Sequence, residues 1–186
     1  MISKVNLIKK IDENAIVILL VIFAILTRFI PHPANFAAVG AVALFSGTYL
    51  NKKYALWLPL VVMMISDYFI GFHNLIFFTW GSFVLIGAIG LWVRKNKNIQ
   101  NVIFGTVTGS LLFFFITNSA VWAMTPLYAK NSQGLIECFV MALPFFRNTL
   151  LGDFFFVGVL FGSYEGVMYL LPRLKQTDKR IRVLNK

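Results

Sequence analysis

Asp67, Asp153, Asn118 and Arg28 lie inside or at the edge of long apolar runs, and Arg147 and Asn148 stand directly before another. Ionisable side chains in such a setting are costly and mark pathways, binding sites or buried ion pairs. Two carboxylates and two guanidinium groups can pair: Arg28 or Arg147 with Asp67 or Asp153. Left unpaired, each would face a penalty of roughly 2.5–3.5 kcal/mol at the centre of a bilayer. Around them stand His32, Asn35, His73, Trp80 and Trp122. Such a set could orient a small molecule between aromatic walls of Trp, Tyr and Phe, with a few polar groups fixing its pose. The same residues could instead glue helices together by ion pairs and hydrogen bonds.

Bond-making chemistry has little to stand on. The chain contains no H-E-x-x-H, no G-x-S-x-G and no phosphate-binding loop. His32 lies between Pro31 and Pro33, and His73 follows Gly71-Phe72, but two histidines with no third ligand at fixed spacing do not make a metal site. Cys138 cannot form an internal disulfide, and no base stands beside it. It reads as an ordinary apolar residue, with a soft metal ligand as the alternative. The expectation is a protein that is not an enzyme and uses no cofactor. Without a nucleotide-binding module, any uphill transport must draw on an ion gradient or a partner.

Composition says what positions these residues. Of 186 residues, 59% are hydrophobic, 16% aromatic and 13% charged. A soluble domain averages roughly 45–50% apolar and 25% charged, so the chain is expected to be an all-α polytopic membrane protein. A spanning helix needs about 20 predominantly apolar residues. Six candidates follow: about 14–31, 35–50, 54–72, 74–93, 101–124 and 148–171. The second is short and rich in small residues, and Pro59 is expected to kink the third. Between the fifth and sixth, GLIECFVMALPFF is too short to span and reads as a helix lying at the interface or capping a cavity. The organisation expected is a cytoplasmic N-terminus over 1–13, one transmembrane domain over 14–171, and a basic cytoplasmic tail over 172–186.

The net charge of +10 fits this topology without invoking nucleic acid. With six spans, fourteen of the seventeen basic residues fall on one side: Lys4, Lys9 and Lys10, then Lys52 and Lys53, then Arg94, Lys95 and Lys97, and six from Arg173 onward. By the positive-inside rule that side is the cytoplasm, where the charges also meet anionic lipid of the bilayer. A rise of about 1.5 Å per residue then puts Arg28, Asp67, Trp80, Asn118 and Asp153 in the outer part of their spans. His32, Asn35, His73, Trp122, Arg147 and Asn148 fall at or just beyond the outer ends. The polar groups thus converge on one level. Their balance of two acids and two arginines points to a neutral or zwitterionic ligand.

Several blocks resemble an uncharacterised bacterial membrane-protein family: Arg28-Phe29-Ile30-Pro31-His32-Pro33-Ala34-Asn35-Phe36, Gly40 to Gly47, Ser66-Asp67 with Gly71-Phe72-His73, Thr117 to Trp122, and Pro144 to Asp153. That family is similar to the substrate-binding S-components of energy-coupling-factor transporters. The resemblance implies a compact six-helix bundle in the bacterial cytoplasmic membrane, both termini inside. It implies capture of a vitamin or related micronutrient at the outer face, and docking on a coupling protein that carries two ATPases. S-components often carry Ala-x-x-x-Ala in the first helix. Here Ala15 and Ala24 do not fit that spacing, and the nearest match is Ala37 with Ala41 in the second span.

Three rivals stand beside this reading: an ion-coupled carrier or channel with Asp67 and Asp153 as ion sites, a membrane enzyme using Asp and His as acid and base, and a structural subunit. On the binding reading, Asp67→Asn or Arg147→Ala abolishes ligand binding while the protein still folds.

Overall fold

The computed structural model describes the backbone of residues 4–184, with side chains over residues 15–169. The basic clusters expected at the two ends, Lys4 to Lys10 and Arg173 to Lys186, lie outside the described side chains. Six α-helices follow one another: α1 (Lys4–Phe29), α2 (Val39–Tyr49), α3 (Lys52–Ile70), α4 (Ile76–Val93), α5 (Ile99–Met124) and α6 (Ser132–Leu184), with a 3-10 turn over Arg94–Asn96. No strand occurs among the described residues.

Runs this apolar become helices because a helix satisfies its own backbone hydrogen bonds without water. Local chemistry sets the ends. Asn51 opens α3, its side chain accepting from the Lys53 amide at 3.3 Å, and Asn98 opens α5, accepting from the Asn101 amide at 2.7 Å. Gly71, at φ 114°, ends α3 in a conformation that suits a residue without Cβ. Pro59 sits inside α3 without ending it.

The helix starts match the sequence expectation within a few residues for α2 to α5. The last helix does not. The segment expected as a separate interfacial helix is continuous with the expected sixth span, and α6 passes through Pro144 without a break. Proline removes one amide donor and crowds the preceding turn, which argued for a boundary, but apolar bundles tolerate it where neighbours absorb the distortion. Its stretch Ser132–Tyr169, 38 residues, rises about 57 Å, well beyond about 30 Å of hydrocarbon. The early turns of α6 are therefore one helix with the expected sixth span and do not form a separate element.

Among the described residues, four helices are long and apolar enough to cross a membrane: α3, α4 with its 3-10 extension, α5, and Ser132–Tyr169 of α6. The described apolar parts of α1 (Ala15–Phe29) and of α2 are shorter. The exterior is apolar as well, with Leu19, Trp57, Tyr68, Phe77, Phe104 and Phe155 all exposed. An apolar shell of this extent is compatible with a multi-pass membrane protein.

The centre of the bundle is α2, whose residues from Val39 to Thr48 are all buried. It packs against every other helix and most closely on α4. A Cβ on Gly90 would come within 2.8 Å of the Gly47 Cα, and one on Gly47 within 2.7 Å of the Gly90 Cα. Small residues here let two backbones touch. Thr48 Oγ1 donates to the Leu44 carbonyl at 2.8 Å and approaches the Gly90 carbonyl at 3.3 Å. Ala41 is fully buried in the same helix, so the Ala37/Ala41 pair belongs to interior packing. The C-terminal end of α2 is closed by Arg94, which donates to the carbonyls of Thr48 and Leu50. Beside it, Tyr49 donates to Glu165 at 2.6 Å, and Lys97 pairs with Glu165 at 2.8 Å.

Gly90→Ala is expected to cost about 1–3 kcal/mol by overpacking. Gly158→Ala, at a glycine whose added Cβ would meet nothing within 4 Å, should stay within about 0.5 kcal/mol. Denaturant unfolding of both variants in detergent would check the contrast.

Candidate functional site

At the N-terminal end of α2 the bundle opens into a cavity of about 450 Å³. Ala37, Val39 and Gly40 form its floor. Helical periodicity supplies the walls. On α4 these are Thr79, Phe83 and Ile86; on α5, Phe113, Phe114, Thr117, Asn118 and Val121; on α6, Phe145, Phe146, Thr149 and Asp153. Positions three or four apart share a helix face, so each helix turns one mixed Phe/Thr stripe inward. Exposed His32, Asn35 and His73 stand at the mouth.

The mouth is built by the α1–α2 loop. Asn35 adopts φ 66°, a left-handed conformation that Asn tolerates better than most residues. The Phe36 amide donates to the Pro33 carbonyl at 3.0 Å, and the Ala38 amide donates to Thr27 Oγ1 at 3.2 Å. Asn148 donates to the Ala34 carbonyl at 3.1 Å and ties the loop to α6.

Two carboxylates lie near the cavity and are satisfied differently. Asp67, 1% exposed, sits behind the wall. Its Oδ1 pairs with the Arg28 guanidinium at 2.6 Å, and its Oδ2 accepts from Trp80 Nε1 at 2.8 Å. Arg28 also donates to Ser66, and it lines the cavity. Asp153 lines the cavity itself and accepts from Ser110 Oγ at 2.6 Å. Among the described residues no ion pair reaches it.

Of the residues expected from sequence, the cavity gathers Arg28, His32, Asn35, His73, Asn118 and Asp153. Five others stand elsewhere. Asp67 and Trp80 support Arg28 from behind. Trp122 donates to the Ala129 carbonyl at 2.9 Å and, with Lys130, shapes the α5–α6 loop. Asn148 tethers the mouth loop. Arg147 is exposed on α6, off the cavity stripe, and pairs with neither carboxylate. Depth along a helix was readable, but each residue also turns the helix face by about 100°, and that decides which neighbours reach inward. The expected charge balance therefore does not hold at the cavity, because Arg147 is not part of it. The aromatic wall is Phe alone, without Trp or Tyr. Ser110 escaped the sequence reading because a neutral hydroxyl at mid-span gives no signal. No three His, Cys, Asp or Glu side chains among the described residues come together to hold a metal ion.

Fold and cavity together define an all-helical protein with several helices able to cross a membrane and a polar-mouthed, Phe-walled chamber at one end. The chain belongs to a family of unknown function, DUF6580, whose model matches residues 9–174. Comparison with curated proteins and with solved structures gives no match.

Removing Asp67 leaves the Arg28 charge without its partner, and breaking a buried pair this way costs about 3–5 kcal/mol. Asp67→Ala is expected to fall in that range, and Arg28→Met with Asp67→Leu to recover much of the loss. Arg147→Ala should stay within about 0.5 kcal/mol of the parent. A double-mutant cycle by denaturant unfolding measures all three.

Proposed function

We propose that this chain is a solute-binding protein of the bacterial cytoplasmic membrane, of the S-component kind, that captures a vitamin-like micronutrient at its outer face for import. The observation that carries the reading is the cavity. Its volume of about 450 Å³ lies in the range of roughly 300–1,000 Å³ that small-molecule sites occupy. Its composition is that of such sites: mostly apolar and aromatic, with few convergent polar groups. The resemblance of its blocks to an S-component-like family supports the same reading, as does the location of most of those blocks around the cavity. On this reading import draws on a coupling partner with two ATPases, as the resemblance implies, and the chain itself carries no nucleotide-binding motif.

A second reading, an ion-coupled carrier, draws support from Asp153 alone, since the Asp67 carboxylate is already taken by Arg28. Uptake that collapses with an uncoupler but survives ATP depletion would favour it.

The test is native mass spectrometry of the purified protein, then thermal shifts against vitamins and their precursors. Ligand at 100 times its dissociation constant adds about 2.7 kcal/mol, and Thr117→Trp, which fills the cavity, should remove the shift. A clean apo mass with no shift across the panel would overturn the reading. Orientation is checked separately. Cys138 is buried, so an impermeant maleimide should label His32→Cys in intact cells and Lys95→Cys only after permeabilisation.

A further inference from the structure

The cavity is unevenly supplied with hydrogen-bonding groups, and the imbalance describes its ligand. Thr79, Thr117 and Thr149 line it, and each gives its single hydroxyl proton to the carbonyl one turn back: Leu75 at 3.3 Å, Phe113 at 2.7 Å and Phe145 at 3.0 Å. A hydroxyl whose proton is so placed offers only lone pairs. Asn118 donates one Nδ2 proton to the Phe114 carbonyl at 2.7 Å, which leaves its side-chain oxygen as an acceptor and its second Nδ2 proton as a donor. The three threonines of the wall therefore offer acceptors and no free proton.

Charge leans the same way. Arg28 is neutralised by Asp67 at 2.6 Å, His32 and His73 are out at the mouth, and Arg147 is outside. Asp153 is left as the cavity's acid without a cation partner among the described residues, 8% exposed. Ser110 Oγ lies 2.6 Å from Asp153 Oδ2 and 3.0 Å from the Thr106 carbonyl, so one hydroxyl proton serves both acceptors. The other oxygen is pressed against Gly40, where an added Cβ would collide with Oδ1. A buried carboxylate is stable only when paired or well hydrogen-bonded, and among the described residues nothing cationic reaches this one. The walls of the same cavity carry phenylalanine rings, among them the packed pairs Phe83–Phe113 with centroids 5.1 Å apart and Phe114–Phe146 at 4.8 Å. Aromatic faces attract cations.

We infer that the cavity takes a ring-bearing organic cation with N–H donors, an amine or amidinium, whose charge rests on Asp153 and whose ring lies among the phenylalanines. This rests on the reading of the cavity as a solute site and names the class of solute.

The test titrates full-length protein in nanodiscs with three matched probe sets: phenethylamine, tryptamine and benzamidine; their neutral counterparts 2-phenylethanol, tryptophol and benzamide; and the anions hydrocinnamate, indole-3-propionate and benzoate. Thermal shift and calorimetry give the readout. At least one cation should bind at least tenfold more tightly than its neutral and anionic partners. Asp153→Asn, which keeps shape and removes charge, should erase that preference, and Thr117→Trp should abolish binding. Should Asp153→Asn fail to fold, Gly40→Ala, which displaces the carboxylate, should erase the preference instead. Neutral or anionic probes that bind as well as the cations, and lose binding in Thr117→Trp, would overturn the charge inference and leave the solute site standing. If no probe binds, the charge inference fails, and the solute-site reading then rests on the separate vitamin panel. A preference that survives both Asp153→Asn and Gly40→Ala would remove Asp153 from the role.

Discussion

The site depends on how α2 is held. At about 1.5 Å per residue, its 11 residues rise about 16 Å, half of a hydrocarbon layer of about 30 Å. A helix that short cannot present termini to water on both sides, yet it is buried over nearly its whole length. Glycines at its contact with α4 allow the backbones to meet, and Arg94 satisfies carbonyls at its C-terminal end. The longer helices continue past its N-terminal end. The space they enclose there is the cavity, so the chamber follows from one helix being shorter than those around it.

The Arg28–Asp67–Trp80 arrangement stiffens this chamber from outside. It joins the end of α1, the last turns of α3 and the first turns of α4 through one carboxylate whose two oxygens are both engaged. Asp153 has no equivalent cation. The two acids thus have different surroundings: one is an internal strut paired with Arg28, the other a buried group of the cavity lining held by Ser110. Separating them required the packing, because each sits in a similar apolar sequence with aromatic residues directly after it.

The α1–α2 loop shows the same division at the mouth. Pro31 and Pro33 restrict the chain around His32, and the sequence made an extended segment there legible. That this segment folds back onto α6, with Asn148 holding the Ala34 carbonyl and Phe36 against Gly152, was not. Asn148 was a candidate for touching ligand and instead fixes the loop that frames the opening.

Hydrophobic run length determined the all-helical class and the starts of α2 to α5, since backbone groups in an apolar setting leave few alternatives to helix. Residue position along each run determined which polar groups share a level. Tertiary structure alone decided azimuth: that Asp153 faces the cavity while Arg147 does not, and that Phe and not Trp lines the wall. It also decided that Pro144 lies within one continuous helix. The physical reason is that depth is fixed by rise per residue, a property of the helix itself. The direction a side chain points is fixed by which neighbour its helix packs against, and that depends on contacts between residues far apart in the chain.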